Sequence, residues 1–119
     1  MLVVIVEDDP GVARLLRMLL ERDGHEAVLA GSGEEGWRAL TGPAAPGLVI
    51  LDRMLPDMDG ADLLARVRAE PRVASVPVLL LTAEHRSSAD LEDGGLTRVL
   101  AKPFDLADFR TTLSALLAD

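Results

Sequence analysis

The sequence predicts a doubly wound α/β domain built on a five-stranded parallel sheet. Three observations predict it. Short apolar runs, such as Leu2–Val6 and residues 48–51, recur along the chain and end in turn residues, as fully buried parallel strands do. Segments with helical apolar spacing alternate with those runs. A chain of 119 residues, 49% of them apolar, suits one compact domain with a core of its own.

Each element has a local reason. Leu2–Val6 reads as the first strand, followed by Glu7, Asp8, Asp9 and Pro10. Aspartate caps a helix and proline suits its first position, so helix one starts there. Val12, Leu15, Leu16, Leu19 and Leu20 fall on one face of it, and Gly24 ends it. Glu26–Ala30 is a weaker second strand. Ser32 and Glu35 have capping-box spacing and open helix two, with Trp37 and Leu40 turned inward. Residues 42–47 form a loop rich in Gly and Pro. Strand three ends at Asp52. Helix three begins near Gly60, turns Leu63, Leu64 and Val67 inward, and closes at Pro71. Residues 76–82 form strand four. Residues 83–95 are poorly patterned and predict one short helix. Residues 98–101 form strand five, followed by Lys102 and Pro103. Asp105 caps a last helix with Leu106, Phe109, Leu113, Leu116 and Leu117 inward.

Strands alternating with helices imply right-handed crossovers and helices on both faces of the sheet. Five strands suit the flavodoxin-like order 2-1-3-4-5, whose switch point lies between strands one and three. Those are the two strands that end in acids here. About five helices are expected, the fourth short or irregular.

Composition excludes several classes. A net charge of −8 argues against a nucleic-acid-binding surface on this domain. The absence of cysteine removes disulfides, thiolate metal sites and cysteine nucleophiles. The apolar opening is too short to span a membrane and lacks the basic flank of a signal peptide, so a cytoplasmic protein is expected. The chain shows no repeat, low-complexity tract or linker.

The strand ends carry the chemistry. Glu7, Asp8 and Asp52 should converge at one crevice, where like charges raise one another's pKa unless a cation neutralises them. An all-oxygen donor set selects a hard cation, Mg²⁺ before Mn²⁺. Thr82 and Lys102 occupy equivalent positions after strands four and five. A carboxylate, a divalent-cation site, a hydroxyl and an ammonium suit phosphoryl transfer, and a carboxylate can itself be the nucleophile, giving an acyl phosphate. Taken singly, each residue has an ordinary reading. Asp9 is a helix cap, Asp52 a turn residue, Thr82 a strand residue, and Lys102 a solvated lysine. Their co-location at one sheet edge is what favours a site. His25 and His85 are expected to be exposed, Trp37 to be core, and Met54 and Met58 to pack in the loop.

Together these residues resemble the receiver domain of bacterial two-component response regulators, over the whole chain, residues 1–119. Residues 4–9 look like the family's acidic opening and residues 48–60 like its phosphoacceptor block. Residues 76–83 resemble the switch-threonine block and residues 101–104 the lysine block. The resemblance implies that Asp52 accepts a phosphoryl group from a phosphohistidine of a sensor histidine kinase or phosphotransfer protein. It implies that Glu7, Asp8, Asp52 and the backbone carbonyl of Met54 hold Mg²⁺. Lys102 would pair with a phosphoryl oxygen, and Thr82 would bond another and draw its loop inward. The Lys102–Pro103 bond is expected to be cis. Such a domain catalyses only its own phosphorylation and slow autodephosphorylation, and is a signalling phosphoacceptor rather than an enzyme. Its output surface is usually made by helix four, strand five and helix five. A phosphorylation-dependent homodimer and a DNA-binding output domain in a longer chain are both compatible with it, as is a complete single-domain regulator starting at Met1.

Two departures stand out. The position three before the lysine, usually aromatic in the family, is Val99. The segment between Thr82 and Lys102 is about two residues short, which places a deletion within residues 84–93 and predicts a short fourth helix and an atypical output face. Other readings fit less of the chain. A haloacid-dehalogenase-like phosphatase carries its Asp-x-Asp after the first strand and needs a cap. A flavodoxin-like electron carrier would not place three acids beside its phosphate. A degenerate receiver acting only as an interaction module rests mainly on Val99.

Overall fold

The structure is a computed structural model that describes residues 1–83 and 96–117. Five strands and, among the described residues, four helices follow in the order β1 (Leu2–Val6), α1 (Pro10–Arg22), β2 (Glu26–Ala30), α2 (Gly33–Leu40), β3 (Leu48–Asp52), α3 (Gly60–Ala69), β4 (Val78–Thr82), β5 (Thr97–Ala101) and α4 (Leu106–Leu117). All strand pairs are parallel and the sheet order is 2-1-3-4-5, as the alternation predicts. The helix expected between β4 and β5, with its deletion and His85, lies outside the described residues. The label α4 therefore belongs to the last helix.

Strand side chains alternate between two faces. Val4, Val6, Val49, Leu51 and Leu80 pack with Leu40 and Leu63 on one side. Val3, Ile5, Ile50 and Leu79 pack with Leu16 and Phe109 on the other. Every residue of β3 and β4 is buried, as expected of central parallel strands. Each fully buried leucine, Leu16 for example, contributes ~1.5–3 kcal/mol.

Four expectations are corrected. β4 begins at Val78 rather than residue 76, because the Val76 amide turns back to Val73 O (3.0 Å) and Pro77 has no N–H to give the ladder. Leu15 and Leu106 are not inward; they are 48% and 49% exposed. The buried stripe of α1 runs through Ala13, Leu16 and Leu20 and leaves Leu15 on its far side. In α4 the sheet is met by Phe109, Leu113 and Leu116, with Leu106 at the free first turn. Trp37 does pack against the core as expected, half-buried, with the Arg66 guanidinium 4.3 Å from its ring centroid. His25 is also half-buried, its Nδ1 3.3 Å from the N-terminal amine.

The helix starts explain how the sheet's carboxyl edge is shaped. Asp9 Oδ1 accepts from Gly11 N (2.9 Å) and Val12 N (3.3 Å), so this acid is consumed as the α1 cap. Gly24, at φ 86°, takes the left-handed turn that ends the helix and feeds β2. Ser32 Oγ accepts from Glu35 N (3.2 Å), while the Glu35 carboxylate reaches Gly31 N (2.9 Å) instead of completing the capping box on Ser32.

Candidate functional site

Strand register builds the site. Val6 pairs with Leu51, so Glu7 and Asp52 are the next residues on adjacent strands. Asp52 pairs with Leu81, and Thr82 with Ala101, which brings Thr82 and Lys102 to the same edge. The Lys102 amide donates to Thr82 O (2.8 Å), and the Lys102–Pro103 bond is cis.

Glu7, Asp52 and Thr82 are buried, whereas Asp8 is exposed. Each of Glu7, Asp8 and Asp52 offers a carboxylate oxygen within 4.8 Å of the others. Lys102 Nζ lies 2.8 Å from Glu7 Oε1 and 2.9 Å from Asp52 Oδ2. Asp52 Oδ1 accepts from the Met54 amide at 3.1 Å. Burial pushes the Glu7 carboxyl up to about 7, helped by its contact with Asp52 and opposed by Lys102. Burial works against the Lys102 ammonium, but its bonds to Glu7 and Asp52 outweigh that and raise its pKa.

All five side chains read as site residues thus meet at one edge. Met58, expected to pack within the loop, instead packs against the core. The Met54 side chain does not pack; it is 73% exposed, at the mouth of a cleft of about 520 Å³ that Thr82 and Ala83 also line. Three oxygen donors grouped around a space that one ammonium only partly neutralises fit a hard divalent cation better than they fit bare repulsion.

Two long-range contacts carry no signal in the sequence. The Asp57 carboxylate accepts from Gly33 N (2.8 Å) and Glu34 N (3.0 Å) at the start of α2. The Arg68 guanidinium bonds Val76 O just before β4 and Thr97 Oγ1 at the start of β5. Both pair positions more than five residues apart, where periodicity carries no signal.

An open parallel sheet of order 2-1-3-4-5 with three grouped carboxylates and a paired lysine at one edge defines a flavodoxin-like domain with a candidate cation site. Residues 3–114 match the family described as response regulator receiver domain, and the chain belongs to that family. The DNA-binding dual master transcriptional regulator RpaA of Synechocystis sp. is 36% identical over 117 residues, covering 97% of this chain and 48% of the relative. Chemotaxis protein CheY1 of Helicobacter pylori is 32% identical over 107 residues, covering 87% of this chain and 86% of that protein. The solved structure of chemotaxis response regulator CheY4 of Vibrio cholerae superposes with a TM-score of 0.85 at 25% identity, covering 98% of both chains. The chain spans about half the length of the first curated relatives it matches. Homology to both groups makes it a phosphoacceptor domain of two-component signalling. Among the described residues, no helix is long and apolar enough to cross a membrane.

Proposed function

We propose that residues 1–119 form one receiver domain, acting in the cytoplasm, in which Asp52 takes a phosphoryl group from a phosphohistidine of a sensor histidine kinase or phosphotransfer protein. An Asp52 oxygen forms the new P–O bond as the P–N bond to the donor imidazole breaks, and the imidazole leaves with the bonding pair. The observation that carries this reading is Lys102 Nζ, held between Glu7 Oε1 at 2.8 Å and Asp52 Oδ2 at 2.9 Å. An ammonium so placed can follow charge onto a phosphoryl oxygen without reorganising its surroundings. Glu7, Asp8, Asp52 and the Met54 carbonyl would hold Mg²⁺, or Mn²⁺ in its place. When bound, the cation supplies charge neutralisation to the phosphoryl oxygens. Thr82, at the cleft, bonds a phosphoryl oxygen and draws its loop inward.

The activity extends to self-phosphorylation and slow autodephosphorylation. The output is a switched protein surface, with homodimerisation or a DNA-binding domain in a longer chain as its readers. RpaA, half covered by this chain, is named as DNA-binding. That property supports a similar output without assigning it. Val99 is 8% exposed and packed in the core with Val78 and Leu80, which favours a switch without a swinging aromatic.

Intact-mass measurement after incubation with acetyl phosphate and Mg²⁺ tests the reading. One phosphoryl group is expected on the wild type and none on Asp52→Asn. An unmodified wild type would favour the degenerate interaction module.

A further inference from the structure

The segment between Asp52 and α3 is pinned at three places. At its start, the Met54 amide bonds Asp52 Oδ1 (3.1 Å). At its end, Asp59 caps α3 through Ala61 N (2.8 Å) and pairs with Arg53 (3.2 Å), while Met54 and Asp59 form an isolated bridge. Both of these ties are local. The third reaches out of the segment: Asp57 accepts from Gly33 N (2.8 Å) and Glu34 N (3.0 Å), 24 and 23 residues away.

This third tie completes the start of α2. Ser32 serves the Glu35 amide with its hydroxyl and the Gly36 amide with its carbonyl, so the two remaining amides fall to Asp57. Met58 lies against the same point. A Cβ at Gly33 would come within 2.5 Å of the Met58 Cγ and sulfur. Asp57 itself is exposed and adds no apolar burial. What it does is fix the middle of the segment whose first residues include Met54.

We propose that Asp57 is a positioning residue for the cation site: by bonding the first two amides of α2, it holds the segment that carries the Met54 carbonyl. The inference rests on the reading that this carbonyl is a cation ligand. Removing the tie leaves Glu7, Asp8, Asp52 and the local contacts of Met54 in place but loosens the middle of the segment, so the Met54 carbonyl is held less firmly and cation affinity falls.

Mn²⁺ binding followed by electron paramagnetic resonance, with Mg²⁺ measured by competition, tests this directly without a phosphodonor. Asp57→Ala is expected to raise both dissociation constants roughly tenfold, the low end of what outer partners of metal ligands contribute. Ser32→Ala weakens the same helix start without touching the segment, and Glu34→Gln removes a nearby negative charge while keeping the backbone amide that Asp57 bonds. Both are expected to bind like the wild type. Unchanged affinity in Asp57→Ala would overturn the inference while leaving the cation site standing. Equal weakening in Ser32→Ala would overturn it in favour of general helix stability, and equal weakening in Glu34→Gln in favour of simple charge. A wild type that binds neither ion, or an Asp52→Asn variant that binds as well as wild type, would sink the cation site and the inference with it.

Discussion

Arg68 Nη2 donates to Thr97 Oγ1 at 2.8 Å, joining α3 to the first residue of β5 across 29 positions. The same guanidinium reaches Val76 O (2.6 Å), Ala74 O (3.2 Å) and Leu96 O (3.1 Å). Thr97 is fully buried. Arg68→Ala is therefore expected to cost ~2–3 kcal/mol, since it strands polar groups away from water. Arg68→Lys should recover only part of that, because an ammonium cannot fork to Val76 and Thr97 at once. Urea unfolding of the two variants measures the difference.

Gly60 has no room for a side chain. A Cβ there would overlap the Asp52 carbonyl oxygen and lie 2.8 Å from Arg53 Cα, both backbone atoms. Gly60→Ala is expected to destabilise by ~1–3 kcal/mol and to slow phosphorylation by acetyl phosphate, because the strain falls on Asp52, the proposed acceptor. Denaturation and single-turnover mass measurements on one preparation test both effects.

Divalent cations should stabilise the fold. Mg²⁺ at ten times its dissociation constant should add about 1.4 kcal/mol if it binds only the folded chain. Addition of EDTA should reverse the gain in a thermal melt. In Asp52→Asn the gain should shrink, because one of three grouped carboxylates is gone.

Acid should loosen the segment after β3 through Asp57. The Gly33 amide, with Glu34 behind it, holds the Asp57 carboxyl below its ordinary value of 3.8. A carboxylate with a depressed folded value adds stability above its unfolded value and loses it as the pH falls through the folded one. Below about pH 4 the wild type should therefore lose stability more steeply than Asp57→Asn. Melting temperatures of both proteins between pH 3 and pH 6 would show the two curves converging at the acid end.

Strand ends were the most legible part of the chain. An apolar run that stops at a charge, as at Val6–Glu7 and Leu51–Asp52, marks both the strand and its functional edge, because a central parallel strand has nowhere else to put a carboxylate. Apolar spacing was less informative for helices. It locates the α1 stripe but cannot centre it, and so places Leu15 inward where the structure leaves it 48% exposed. The start of β4 differs from the apolar pattern because Val76 belongs to a turn, its amide bonded back to Val73 O. Asp57 and Arg68 were out of reach altogether. Their partners are set by how α2 and α3 lie against the sheet, which no local pattern encodes.

The triple pinning of the chain between Asp52 and Gly60 also bears on where the protein can be lengthened. That stretch has no slack, and an added residue would pull against two helices and a strand at once. Residues 43–45 are exposed and join α2 to β3 at the opposite, amino edge of the sheet. A reporter peptide spliced between Pro43 and Ala45 should leave the acidic edge intact, making that loop the natural port for fluorophores or tags.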